Sequence, residues 1–332
     1  MSLDVVIPHL LLPPQAPAAL RELRLPHLER WIARADVERL DVPGPEAWLA
    51  RRFDLPAPFP VAAVTLAADD APQPGMWLRA DPVHLQISPE AVALHDASVL
   101  DVQGDEARSL VDTLQALFGA DGLEFRAPHP ARWYVRVPAG ELPDTTPLES
   151  ALGRNVFGLL PRGRGRINWP MAITEAQMLF ASHEVNAQRE AAGRPAINSV
   201  WFWGGGATPR IASRPYALVY ALDAFARGLG TLAGARVAEL PSRPELVDAV
   251  AEDDSVLVVL DTLGAPLHRG DANAWREAAR ALDEAWFSEL GRLLERFERV
   301  RLVLPAQHET RMATIASASR WRWFRRRSAV NA

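Results

Sequence analysis

Ser255-Val-Leu-Val-Val-Leu-Asp261 is a short apolar run ending on a carboxylate. A long helical pattern follows from Asn273 to Glu298, and Val300-Arg-Leu-Val-Leu-Pro305 is a second apolar run. Runs of this length without apolar/polar alternation suit strands buried on both faces. Strand, helix and strand in that order need a crossover, so the two strands lie parallel in one sheet. The same alternation extends upstream. Ser199–Trp203 reads as a strand, Pro215–Ala233 as a helix and Ala235–Glu239 as a strand. The last third of the chain is thereby predicted to be an α/β unit with a mostly parallel sheet.

The first half is less regular. Asp4 to Leu12 reads as a buried strand, Ala18 to about Phe53 as a Pro-punctuated helical region, and Val61–Ala67 as a second strand. Beyond a turn-rich boundary, Trp77–Ile87 and Val92–His95 read as strands. A helix follows from Asp105 to Phe118, with Leu110, Val111, Leu114, Leu117 and Phe118 on one face. Leu123–Phe125 and Arg132–Val137 close this small α+β module as strands. Pro138–Pro170, rich in Pro, Gly and Arg, is a connector, and a helix capped by Thr174 runs to Gly193. The expected organisation is therefore 1–75 as the N-terminal part of the α/β core, 76–138 as an inserted module and 139–198 as connector and helix. Residues 199–319 form the C-terminal core and 320–332 a basic-aromatic tail.

Composition narrows the chemistry. In 332 residues there is no Cys, and all 36 basic residues of the Lys+Arg count are Arg. Thiolate nucleophiles, Cys-ligated zinc, iron–sulfur clusters and disulfides are excluded. So are Schiff-base lysines and the P-loop lysine. Every fixed cation is a guanidinium, suited to bidentate recognition of carboxylate or phosphate. A net charge of −5 argues against general nucleic-acid binding, and no sequence-specific nucleic-acid partner is expected. The apolar stretch Val5–Leu12 follows Asp4 and is broken by Pro8, so it does not read as a signal peptide. No run reaches the roughly 18 to 20 apolar residues of a spanning helix, and the cytoplasm is the expected location.

Three groups of residues stand out for chemistry. Parallel sheets bind ligands beyond the carboxyl ends of their strands. Asp261 ends one strand, Gln307 and His308 lie past the end of the next, and His268 and Asp271 lie in the loop between. Asp261, His268, Asp271 and His308 form a candidate site for one divalent metal, Mn or Zn. The alternative is solvated loop residues and no cofactor. Trp201-Phe-Trp-Gly-Gly-Gly206 runs a buried aromatic strand into Gly204, Gly205 and Gly206, which would let the backbone approach a ligand or simply turn. The run lacks G-x-G-x-x-G spacing, so a dinucleotide site is not expected. His183, Asn186 and Arg189 recur every three residues on one helix face, a stripe able to grip an anion or to face solvent. In the tail, Arg320 to Arg327 carries five arginines and three aromatics, suited to an anionic membrane or an acidic partner.

The segment His183-Glu-Val-Asn186 with Arg189, Gly193-Arg-Pro-Ala196 and Val200–Gly206 resembles the archaeal-type cofactor-independent phosphoglycerate mutases of the alkaline-phosphatase superfamily. So do Gly228-Leu-Gly-Thr-Leu-Ala-Gly234, Ala265-Pro-Leu-His-Arg-Gly-Asp271 and Gln307-His-Glu-Thr310. Trp77–His84, Thr146-Pro-Leu148 and Ile197–Trp201 bring the chain closer still to the RpfE-type regulatory proteins. The resemblance implies an alkaline-phosphatase-like core. For a working mutase it implies two metals, an N-terminal Asp-Gly, a Ser nucleophile and further Asp and His ligands. This chain departs from that pattern. No Asp-Gly follows the first strand, residues 50–75 contain no Ser, Gln307 stands in the Asp-His pair and Trp203 in place of an Arg before the glycines. The expectation is a degenerate mutase-like protein with a regulatory or binding role towards an anionic small molecule or protein partner. The alternative is a metal-dependent mutase or phosphatase.

Overall fold

The structure is a computed structural model and describes residues 1–12, 20, 23–87, 92–95, 97–152, 154–163, 165–241 and 255–316. Its strands are β1 (Ser2–Val6), β2 (Asp36–Leu40), β3 (Met76–Ile87), β4 (Val92–His95), β5 (Glu124–His129), β6 (Arg132–Val137), β7 (Ser199–Ala207), β8 (Leu218–Ala221), β9 (Arg236–Ala238), β10 (Val256–Val259), β11 (Arg299–Pro305) and β12 (Thr310–Ala316). The chain divides into two compact units. The first is discontinuous, Met1–Ala57 with Ile211–Ala332, and the second is Pro58–Arg210. The expected borders at 75, 138 and 198 differ from this division: β7, assigned from sequence to the C-terminal core, pairs with β3 in the second unit.

The first unit carries a seven-stranded sheet in the order β2-β12-β11-β1-β10-β8-β9. From β11 to β9 every neighbour pair is parallel, while β12 and β2 add an antiparallel flank. The expected α/β class with a mostly parallel sheet is what the chain adopts. Its core is continuous: Leu3, Val5, Val258 and Leu302 are fully buried and pack with Trp275, Phe287 and Phe297. β2 lies at the sheet edge and is written Asp-Val-Glu-Arg-Leu, mostly exposed, the charged composition that discourages edge-to-edge pairing.

The second unit is a sheet in the order β4-β3-β6-β5, with β7 also pairing β3. The helix Gly104–Phe118 covers it through Ala107, Leu110, Val111, Leu114 and Phe118 and opens with a capping box between Gln103 and Glu106. A second cover is Trp169–Ala181, whose N-terminus is capped by Asn168 rather than by Thr174. That helix ends at Ala181, and Glu184–Ala191 begins anew with His183 as its cap.

Other expected elements change type. Val61–Asp69 is a helix, not a strand. Its six central residues are all buried, so periodicity cannot arbitrate, and its alanines favour helix. The expected helix Pro215–Ala233 is strand β8 followed by a helix Ala224–Leu232, started by Asp223, whose carboxylate accepts from the Ala226 N–H. Asn273–Glu298 is not one helix but Ala272–Leu282, a π-helical turn Asp283–Phe287 and Leu290–Arg296. β1 stops at Val6, and the helical region expected before Phe53 contains β2 between the helices Pro26–Ile32 and Gly44–Arg52.

Candidate functional site at the carboxyl edge of the large sheet

β10, β1 and β11 are consecutive neighbours and run parallel, so the segments that leave their carboxyl ends gather at one edge. His9 follows β1, Asp261 follows β10 and begins the approach to the helix Gly264–His268, and His308 follows β11. β1 lies between β10 and β11 in the sheet.

His9 is the residue this inserted strand brings, and the sequence reading passed over it by extending the first strand to Leu12. Pro8, which strands accommodate poorly, was the signal that the strand had ended. The His9 backbone sits in the left-handed region, φ 60°, which for a non-glycine residue costs free energy and marks a position fixed by its surroundings. The Trp275 indole N–H holds its carbonyl at 3.2 Å. The imidazole meets that of His268 edge-on, with 5.2 Å between ring centroids, and the two rings bring ligand atoms within 4.8 Å of one another. Burial, and secondly the nearby His268, pushes the His9 pKa down to about 4, so this imidazole is neutral at pH 7, the form that binds metals. Asp261 lies near His9 across Gly264: a Cβ placed on that glycine would lie 3.1 Å from the Asp261 Oδ1 and 3.1 Å from the His9 Cδ2, crowding both side chains.

The remaining candidates are placed elsewhere or differently employed. Asp271 caps the helix Ala272–Leu282, its Oδ1 accepting from the N–H groups of Asn273 (3.1 Å) and Ala274 (2.9 Å). His308 is exposed past β11. Among the described residues, Asp261, Asp271 and His308 do not join His268 in a set of three or more with all ligand atoms within 4.8 Å. Asp4, an acidic side chain on β1 itself, is fully buried. It takes Arg301 in a two-pronged pair (2.5 and 2.8 Å) and the Tyr216 hydroxyl at 2.5 Å.

In the second unit the polar stripe is turned inward. Asn186 is buried, donates to the Phe180 and Ile197 carbonyls and accepts from the Ile197 N–H, each at 2.8 Å. The Arg189 guanidinium, 1% exposed, donates to the Glu106 carboxylate and to the carbonyls of Leu100 and Pro195. His183 faces Thr113 at 3.1 Å. These bonds pin the helix Glu184–Ala191 to its neighbours. Gly204, Gly205 and Gly206 are part of β7. A Cβ on Gly205 would meet the Leu78 Cδ2 at 2.7 Å, one on Gly206 the Pro60 Cβ at 2.5 Å, and one on Gly204 the Val61 Cβ at 3.0 Å. The three glycines serve close packing onto β3 and the start of the helix Val61–Asp69.

The aromatic run ahead of them has a polar role that composition did not suggest. The Trp203 indole donates to the Asp81 Oδ2 at 2.7 Å, and Arg79 donates to the Oδ1 from two nitrogens while its guanidinium lies over the Trp203 and Tyr134 rings. Burial pushes the Asp81 pKa up, with Arg79 pulling against it. Arg79 and Asp81 point to one face of β3, a spacing of two visible in Arg79-Ala-Asp81. The tail, Arg320 to Arg327, lies outside the described residues. Among those described, no helix is long and apolar enough to cross a membrane.

No family model matches the chain. It is 27% identical over 185 residues to a 2,3-bisphosphoglycerate-independent phosphoglycerate mutase of Methanosarcina mazei, a match covering 52% of this chain and 46% of that one. It is 23% identical over 251 residues to a probable mutase of the same kind from Geobacter sulfurreducens, covering 70% and 63%. The chain thus spans about half to three-fifths of the length of the curated relatives it matches. Among solved structures it superposes on a protein from Pyrococcus horikoshii with a TM-score of 0.62 at 14% identity, covering 98% of this chain and 90% of that one. The cofactor-independent phosphoglycerate mutase of Thermoplasma acidophilum gives a TM-score of 0.50 at 17% identity, covering 95% and 89%. The chain is related at low identity to the cofactor-independent phosphoglycerate mutases and shares their fold.

Proposed function

We propose that this chain is a binding or regulatory protein on a mutase-like fold that no longer transfers phosphate, acting in the cytoplasm on an anionic small molecule or a protein partner. The observation that carries the reading is how the sheet edge is furnished. A two-metal centre needs several carboxylates held free to bridge ions roughly 3.5–4 Å apart. Here His9 and His268 lie side by side where β1 and β10 end, Asp4 is consumed by Arg301 and Tyr216, and Asp271 is consumed as a helix cap. These residues do not fit two metals. Nor does the stretch where the resemblance expects the nucleophile supply a free hydroxyl. Thr65 is the only hydroxyl side chain in residues 50–75, and its Oγ1 donates to the Val61 carbonyl at 2.9 Å inside its own helix. The resemblance to RpfE-type proteins supports the regulatory half of the reading.

One observation favours a second reading, a metal-dependent mutase or phosphatase: the His9 and His268 rings lie 5.2 Å apart with ligand atoms within 4.8 Å of one another, a pair that could start a single Mn or Zn site. One experiment separates the two. The purified protein is assayed with 3-phosphoglycerate and with p-nitrophenyl phosphate in added Mn²⁺, and its metal content is measured. Turnover no higher than buffer is the expected result. Turnover that disappears in His268→Ala, with a stoichiometric metal lost in the same variant, would overturn the proposal.

A further inference from the structure

Beside the carboxyl ends of β1 and β11 the first unit holds a cavity of about 650 Å³. That volume is in the range of small-molecule sites. Its wall is apolar: Leu12, Leu23, Leu28, Ile32, Leu304 and the Trp275 ring line it, and most of these are also part of the hydrophobic core of the unit. Along this wall water finds no polar partner. Transferring an alkyl chain into it gains about 0.8 kcal/mol per methylene.

The rim is different in kind. Arg39 on β2 and Arg311 on β12 both line the cavity and are directly opposed across the antiparallel pair. Like charges in that register destabilise a sheet unless something neutralises them. Glu309 accepts from the Arg311 Nε at 2.9 Å, whereas Arg39 is exposed and has no ion pair among the described residues. Asp41 and Glu309 balance the formal charge of the rim, and Glu309 is the one of the two bonded to a guanidinium among the described residues. A bound anion between the two arginines would relieve the repulsion, and a carboxylate matches the guanidinium fork.

We infer that this cavity is a binding site for a single-chain amphiphile, its alkyl tail against the leucines and Trp275 and its carboxylate head between Arg39 and Arg311. The carboxylate head rests on the reading of the chain as a binder of anionic small molecules; the alkyl tail is read from the cavity alone. The test is calorimetric titration of the full chain with octanoate, decanoate and dodecanoate below their micellar concentrations, with decan-1-ol as the uncharged counterpart. One site is expected, with affinity rising about fourfold per added methylene. Arg39→Ala, an exposed substitution, should weaken decanoate about tenfold and leave decanol unchanged. Leu12→Trp should weaken both, with circular dichroism and a thermal melt confirming that each variant is folded. Absence of saturable binding by the folded wild type, affinity independent of chain length, or decanol binding as tightly as decanoate would each overturn the inference. None of these readouts depends on phosphate-transfer assays, so mutase turnover would remove the proposed function and leave the tail-binding result untouched.

Discussion

His9 concentrates several constraints in one side chain: a left-handed backbone, a carbonyl tied to Trp275, and an imidazole buried against His268. Its pKa near 4 has a direct consequence for stability. In the unfolded chain a histidine takes up its proton near pH 6.5. In the folded protein His9 resists until about pH 4, so between these values the unfolded state binds the additional proton. Stability is therefore fully present above about pH 6.5 and is lost as the pH falls towards 4, by on the order of 2–3 kcal/mol. Urea titrations of chelator-treated protein at pH 7 and pH 4.5 should show a drop larger in the wild type than in His9→Gln by about that amount. Equal drops would show that His9 does not carry the effect. Nothing in composition or spacing marks His9, because its importance comes from β1 being inserted between two strands some 250 residues away in sequence. His268 and Asp261, by contrast, were legible as residues at a strand end, and Arg189 was legible as a special residue whose partners were not.

Elements read well where periodicity was strong and badly where burial was complete. The helix Gly104–Phe118 has a polar face, so its stripe was visible, and its start was misplaced by only one residue. Val61–Asp69 and Leu218–Ala221 are buried almost all round, which erases the distinction between periods of two and 3.6. The glycines of β7 are another case. A run of three reads as a loop, yet it is strand backbone pressed against Leu78 and Pro60. Gly206→Ala should cost about 1–3 kcal/mol, because the Pro60 ring 2.5 Å from the new Cβ cannot turn away as a long side chain would. Gly158→Ala, with open space around it and no left-handed backbone, should change stability by less than about 0.5 kcal/mol. Denaturant midpoints of the two variants compare them directly, and similar losses would mean that β7 yields to the added methyl.

At the scale of the molecule, the parallel sheet was legible and its membership was not. Alternating apolar runs and helices announce the class, but an edge strand such as β2, exposed and charged, shows no strand pattern and disappears into the expected helical region, and nothing local says that β7 belongs with β3. The division at residues 57/58 and 210/211 gives each unit its own core, with Leu78, Leu114, Trp133 and Phe202 fully buried in the second. A fragment of residues 58–210 is accordingly expected to fold alone, giving a cooperative thermal transition and dispersed amide resonances. A fragment that stays unfolded would show that its core is insufficient without the rest of the chain.

The discontinuity of the first unit also sets an order of events during synthesis. β1 leaves the ribosome some 250 residues before either strand that flanks it, β10 or β11. At about 5–20 residues per second, the intervening sequence takes on the order of ten seconds or more to emerge. The second unit has its whole sequence available well before then. Leu3-Asp-Val-Val-Ile7, an apolar strand without neighbours, waits throughout, carrying the aggregation hazard of an unpaired edge until the closing strands arrive. The newly made protein therefore depends on whatever shields that segment in the interval, and expression conditions that slow the second half of translation should lower soluble yield before they affect the stability of the finished molecule.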